Sequence, residues 1–223
     1  MTATPRVRLD VWSDYVCPFC YLELPQLARL QEEFGERLAI EWHAFELRPE
    51  PTPTLDPAGD YLRHTWDRAV YPLAAEYGMT LRLPPVQPRS RLALEAAEFA
   101  REHDRFDAFH LAVFRAFFEE GRDIGDLGVL SELVRRVGLD AQALEASLAA
   151  GDFSDLVLHA EDRAEALGIT AVPTLLLRSA EAPIEEAQAL DGALPFAQLV
   201  TAVRAQLDAS AAPRVPVPET APR

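Results

Sequence analysis

The stretch Ser13-Asp14-Tyr15-Val16-Cys17-Pro18-Phe19-Cys20-Tyr21 decides how this chain is read, because it carries both of its cysteines in one tetrapeptide. Just upstream, Val7, Leu9 and Val11 alternate with Arg8 and Asp10, and Trp12 follows. That period of two is the pattern of a strand. Ser13 and Asp14 break it. Downstream, from about Pro18 to Phe34, Leu27, Leu30 and Phe34 recur at helical spacing, and Gly35 fits a C-terminal cap. Pro25 falls inside this helix and removes a backbone donor, so a kink is expected there. Leu38 to Leu47 (LAIEWHAFEL) reads as a second strand. The opening is thus strand–helix–strand, with a crossover long enough for parallel pairing. The cysteines stand where the first strand hands over to the helix.

Further along, the texture changes. Arg48 to Pro57 holds four prolines in ten residues and reads as a loop. From about Asp60 to Gly151 the pattern is wholly helical. Ser90 precedes one helix through Leu92 and Phe99, and Phe106, Phe109, Val113 and Phe117 mark another. Asp126 with Gly138 and Asp140 with Gly151 bracket two more. Leu156, Ala160 and Leu167 trace a helix closed by Gly168. The α/β texture then returns. Thr174 to Arg178 is a short apolar run directly after Val172-Pro173, with Ile184 to Leu190 as its hairpin partner. Phe196, Leu199, Val200, Val203 and Leu207 form a final helix entered at Pro195. Residues 209–223 (ASAAPRVPVPETAPR) are rich in Pro and Ala and carry too little apolar surface to fold, so a disordered tail is expected.

The chain has 223 residues, 49% of them apolar and 26% charged, the composition of an ordinary globular protein. Its 21 basic and 36 acidic residues give a net charge of −15. That argues against nucleic-acid binding, which needs a basic patch to displace counterions. Every basic residue is Arg, which excludes Lys-based chemistry such as Schiff bases. No apolar run is long enough for a membrane span, and the N-terminus lacks the apolar core of a signal peptide. A cytoplasmic protein is expected, and in a reducing compartment a Cys pair points to catalysis more than to a structural staple.

The chemistry of such a pair follows from its place. At a helix N-terminus, unpaired amides and the helix dipole favour a thiolate at the first sulfur. The second thiol, three residues on, lies one turn along and can attack a mixed disulfide formed by the first. Cys17 is therefore the expected nucleophile and Cys20 the resolving thiol. Cys17 is expected to be the more exposed of the two. Two inert buried thiols, or half of a zinc site, are the alternatives. A zinc site needs further ligands at close spacing, and no second CxxC or HxxxH supplies them. Neither a metal nor an organic cofactor is expected.

Taken together, SDYVCPFCY and the distant GITAVPTLLL resemble the DsbA-like branch of the thioredoxin superfamily. The closest resemblance is to FrnE-type proteins, cytosolic thiol–disulfide oxidoreductases. FEEGRDIGD at Phe118–Asp126 and ALDGALPFAQL resemble further stretches of that family. The resemblance implies an α/β, thioredoxin-like fold with a helical domain inserted between its βαβ and αββα halves. Residues 1–47 and 152–208 would form the discontinuous thioredoxin-like domain, 48–151 the insertion and 209–223 the tail. It further implies that Pro173 is a cis-proline facing the dithiol, and that Val172 presents backbone groups to substrate beside Pro18 and Phe19. Partners would be protein or low-molecular-weight thiols and disulfides. The family more often has Pro-Trp where this chain has Pro18-Phe19. Glutathione-dependent isomerases and kappa-class transferases share the architecture but typically have Ser at the first Cys position. A non-catalytic peptide-binding holdase is the third alternative.

Other polar residues have plainer readings. Asp14 is either a proton acceptor or a cap of the helix that follows. His43, beside Trp42 in the second strand, reads as a satisfied structural histidine. His103, Asp107 and His110 fall on adjacent turns, and a solvated helix face explains them better than a metal site. Trp12 and Trp42 read as core.

Overall fold

The computed structural model describes residues 5–211. Its centre is a four-stranded sheet in the order β2-β1-β3-β4. Strands β1 (Val7–Ser13) and β2 (Leu38–Ala44) are parallel and are joined by α1 (Pro18–Phe34). Strand β3 (Thr174–Ser179) runs antiparallel to β1, and β4 (Gln188–Asp191) antiparallel to β3. The helices α2 (Asp60–Thr65), α3 (Tyr71–Glu76), α4 (Arg91–Glu102), α5 (Phe106–Phe118), α6 (Leu127–Arg136), α7 (Ala141–Ala150) and α8 (Ser154–Ala166) all fall between β2 and β3. Helix α9 (Phe196–Ala211) follows β4. This is the thioredoxin-like α/β fold with a helical insertion.

Alternation in β1 explains how the sheet is dressed. Val7, Leu9 and Val11 stand on one face, in register with Leu38, Ile40 and Trp42 of β2 and with Leu177 and Leu175 of β3. This face is covered by Leu27, Leu30 and Phe34 of α1 and by Leu199, Val203 and Leu207 of α9. The other face begins with charge. Asp10, fully buried, accepts from Arg178 Nε and bonds His43 Nε2, each at 2.9 Å. Beside them Trp12 stacks on His43 with centroids 4.3 Å apart and donates its indole N–H to the carbonyl of Ala160 on α8 at 3.2 Å. His43 is thus a satisfied structural residue. Trp12, Tyr15, Cys17 and Cys20 join the aromatic interior of the helical segment, which includes Phe114, Phe117 and Phe118, in one continuous core.

At the outer edge, β2 has a strand on one side only among the described residues. Side chains cover two of its carbonyls: Gln31 Nε2 donates to Leu38 O at 3.1 Å, and Arg101 Nη2 to Trp42 O at 3.2 Å.

Several expectations need correction. β2 ends at Ala44, because the chain is then pinned at Leu47 by a side chain of the Cys turn. The segment from Asp60 to Gly151 is not helical throughout: Trp66–Val70 is a π-turn, and residues 77–90 run without helix. In α8, Leu156 is 53% exposed while Val157 and Ala164 are buried, so the core stripe is offset by one residue. The partner of β3 is shorter than expected, since Ile184–Glu186 forms a 3-10 turn before β4. Trp42 is half-buried and packs on His110 at 4.5 Å. Helix α9 continues to Ala211, and the rest of the expected tail, 212–223, lies outside the described residues. Asp126 and Asp140 do cap α6 and α7, accepting from Val129 N and Gln142 N at 3.0 and 2.8 Å.

Candidate active site

Cys17 is the last extended residue before α1, and Pro18 takes the first helical position, where a missing N–H costs nothing. The Cys17 amide donates to Asp14 O at 3.1 Å, closing the turn that leaves β1. No side chain caps α1. The Cys17 thiol donates to the carbonyl of Val172 at 3.4 Å, so two segments 155 residues apart in sequence meet at the sulfur. The Val172-Pro173 bond is cis, as is Glu50-Pro51 in the proline-rich loop. Cys17, Pro18, Phe19 and Val172 line a cleft of about 280 Å³, closed on the helical side by Tyr61 and Trp66.

Cys20 sits one turn deeper. It is 1% exposed against 5% for Cys17, and both are free thiols. Burial pushes the Cys20 thiol well above the usual range, and the neighbouring Cys17 adds to this. The Asp14 backbone amide and the Ser13 hydroxyl act the other way.

Asp14 does not cap α1. Its fully buried carboxylate accepts from Val16 N (3.2 Å) inside the turn and from Leu47 N (2.7 Å) beyond β2. It therefore ties the Cys turn to the chain leaving the second strand. Burial raises its pKa to about 6; the Ser90 hydroxyl and the two amides hold it down, and Glu46 adds to the rise. Close by, Arg91 bridges Glu46 and Glu161, both at 2.9 Å, which fastens α4 to α8 behind the site.

Three residues to which the sequence assigned no role also shape this region. Glu23 is fully buried, accepts from Leu194 N at 3.0 Å and leaves Oε1 without a partner; burial raises its pKa to about 8. Tyr21 donates its hydroxyl to Glu119, and its ring stacks on Phe114 and Phe118 of α5. Tyr15, fully enclosed, meets His110 Nδ1 at 2.8 Å. One signal was available for Glu23: it completes the stripe Cys20, Glu23, Leu27, Leu30, Phe34 at helical spacing.

The His103, Asp107, His110 group does not behave as one face. His103 bonds Phe99 O at 2.8 Å and Asp107 is exposed, but His110 is buried among Tyr15, Trp42, Phe106 and Phe114. Burial first, then the charge of Arg101, lowers its pKa to about 3, so it is neutral. Asp10, Glu41 and His43 also converge, yet Arg178 and Arg8 already neutralise the two carboxylates. A larger groove of about 1140 Å³ runs between α1, β2 and α5, lined by Trp42, Leu111 and Arg115 but by neither cysteine. The smaller cleft is the one that Cys17 lines.

The chain belongs to the DSBA-like thioredoxin domain family, which matches it over residues 8–204. It is 37% identical over 176 residues to the uncharacterized protein YwbO of Bacillus subtilis, covering 77% of this chain and 86% of that protein. Among solved structures it is similar to a probable DsbA oxidoreductase of Streptomyces coelicolor, with a TM-score of 0.72 and 26% identity over 95% of this chain and 94% of the other. It shares its fold with the cytosolic disulfide reductase DsbM of Pseudomonas aeruginosa in complex with GSH, with a TM-score of 0.65 and 24% identity over 88% of this chain and 99% of that one. Among the described residues no helix is long and apolar enough to cross a membrane.

Proposed function

We propose that this protein is a cytoplasmic, FrnE-type thiol–disulfide oxidoreductase acting on protein or low-molecular-weight thiols and disulfides. The observation that carries the reading is the Cys17 sulfur, set at the start of α1 against the Val172 carbonyl and on the wall of a cleft. The Cys17 thiolate attacks a substrate disulfide; a Cys17–substrate S–S bond forms and the first substrate thiolate leaves. Cys20 then gives its proton to solvent and attacks the Cys17 sulfur. The intramolecular disulfide forms, the second substrate thiolate leaves, and two electrons have passed to the substrate. The reverse sequence oxidises a dithiol. Pro18, Phe19 and Val172 contact the substrate chain, which pairs with Val172 as an added strand, and Pro173 presents a surface without N–H or thiol. Asp14 is read as the group that positions the turn, since its carboxylate faces the Val16 and Leu47 amides. Residues 1–47 and 152–208 are read as the discontinuous catalytic domain, and 48–151 as the insertion closing the cleft.

The test is direct. Oxidised wild-type protein should lose both titratable thiols without gaining mass from an adduct, and should catalyse reduction of insulin by dithiothreitol. Cys17→Ser should abolish that catalysis. Cys20→Ser should accumulate mixed disulfides through Cys17, glutathione being the first low-molecular-weight thiol to try, as the compound found with DsbM. Oxidised wild-type protein that retains two free thiols would refute the proposal.

A further inference from the structure

Among the buried polar side-chain atoms without a hydrogen-bond partner are Ser13 Oγ and His110 Nε2. Both residues line the same small cavity, about 20 Å³ in volume, together with Tyr15, Trp42, Glu98 and Arg101. A cavity of that size accommodates one water, and a water is retained where it finds two or more polar partners. The Ser13 hydroxyl stands next to the Cys20 sulfur and favours its ionised form. Proton placement along the line is fixed from its far end. Tyr15 has His110 Nδ1 as its partner at 2.8 Å. If the phenol donates, only one donor, His110 Nε2–H, is left over; the opposite tautomer strands both the phenol proton and the Nε2 lone pair. His110 is neutral, so it carries a single ring proton.

We propose that Tyr15, His110, one water in this cavity and Ser13 form a chain of hydrogen-bond donors that ends on the Cys20 sulfur. Tyr15 O–H donates to His110 Nδ1, His110 Nε2–H to the water, the water to Ser13 Oγ, and Ser13 O–H to the Cys20 thiolate. Ser13 and His110 are thereby positioning residues for the second half of the exchange, in which Cys20 must be ionised to attack. The chain counters the burial that makes Cys20 a reluctant thiolate. Other ionisable groups facing it are Cys17 at the sulfur, Asp14 through its backbone, and His43, Glu98 and Arg101 around the cavity. The inference rests on the dithiol reading above.

Stopped-flow reaction of the reduced protein with one equivalent of 5,5′-dithiobis(2-nitrobenzoate) separates the steps. The first thionitrobenzoate is released in a concentration-dependent phase by Cys17, the second in a concentration-independent phase as Cys20 attacks. Ser13→Ala should leave the first phase unchanged and move the pH midpoint of the second up by about one unit. Such a shift removes about nine-tenths of the thiolate but raises its nucleophilicity about threefold, so the second phase slows about threefold at pH 7. Ser13→Thr, which keeps the hydroxyl, should restore the rate. His110→Leu should act in the direction of Ser13→Ala, and His110→Gln should recover part of the loss. Should Ser13→Ala fail to fold, Ser13→Thr against the isosteric Ser13→Val makes the same comparison. Wild-type second-phase rates and midpoints in both Ser13→Ala and His110→Leu would overturn the chain. A missing second phase in the wild type would instead overturn the dithiol reading beneath it.

Discussion

The Cys-Pro-Phe-Cys turn is flanked by two carboxylates at equal distance, Asp14 three residues before Cys17 and Glu23 three residues after Cys20. Both are completely buried. Their surroundings differ. Asp14 takes two backbone amides and has the Ser90 hydroxyl beside it, and burial lifts it only to about 6. Glu23 takes one amide, from Leu194, and burial lifts it to about 8. At neutral pH the residue before the turn is charged and the one after it holds a proton. Equal burial therefore does not give equal charge; the number of donors aimed at the carboxylate decides it.

That contrast can be broken most sharply at Glu23. A carboxyl whose folded pKa lies above its unfolded value contributes stability that is complete below the unfolded value and disappears as pH rises through the folded one. For Glu23 the window runs from 4.5 to about 8, worth on the order of 5 kcal/mol. Glu23→Gln keeps an acceptor for Leu194 N and cannot ionise. Its stability relative to wild type, followed by urea unfolding, should grow by roughly that amount between pH 4 and pH 9; a constant difference would show that Glu23 is not a buried acid.

Asp14→Asn should give a smaller and earlier effect. The Asp14 window runs from 3.8 to about 6, worth about 3 kcal/mol, and the variant should lack it. At pH 7 this gain is largely cancelled, because the amide cannot accept from both Val16 N and Leu47 N. The two proteins should then be equally stable within about 1 kcal/mol at pH 7, while wild type leads by about 2–3 kcal/mol at pH 4. His110, lowered from 6.5 to about 3, adds a slope of opposite sign, with stability lost as pH falls from 6.5 to about 3. It cancels in the difference between variants. Parallel pH profiles for the Asp14→Asn variant and the wild type would contradict the assignment.

The smallest expected effect needs no mutation. Between pH 6.5 and 8, Glu23 dominates the change, and the reduced wild-type protein should lose about 1–2 kcal/mol over that interval. A flat profile there, or one that Glu23→Gln does not flatten, would remove Glu23 from the account.

Local patterning carried much of this fold into view. The start of β1, both ends of α1, the capping aspartates at 126 and 140 and the beginning of β3 all rest on spacing and on residues with strong positional preferences. So does the cysteine pair at the strand-to-helix junction. What stayed hidden depended on partners far away in sequence. Glu23 falls on the buried stripe of α1, but the partner of its carboxylate, the amide of Leu194, lies 171 residues on. His110 reads as part of a polar face until Tyr15 is known to reach it. Asp14 has the sequence of a helix cap, but the amide of Leu47 competes for its carboxylate. Leu156 fails for a related reason: apolar neighbours at 157 and 158 leave the register of α8 open to a shift of one residue.

The guarded edge of β2 bears on how this protein behaves when it is concentrated. A sheet edge with open carbonyls and amides is a template on which another chain can add a strand. Gln31 and Arg101 close two carbonyls of that edge with side chains of the same molecule. Neither residue lines the cleft at Cys17. By closing those acceptors they disfavour strand addition at this edge, and with it growth of an aggregate from that side of the sheet.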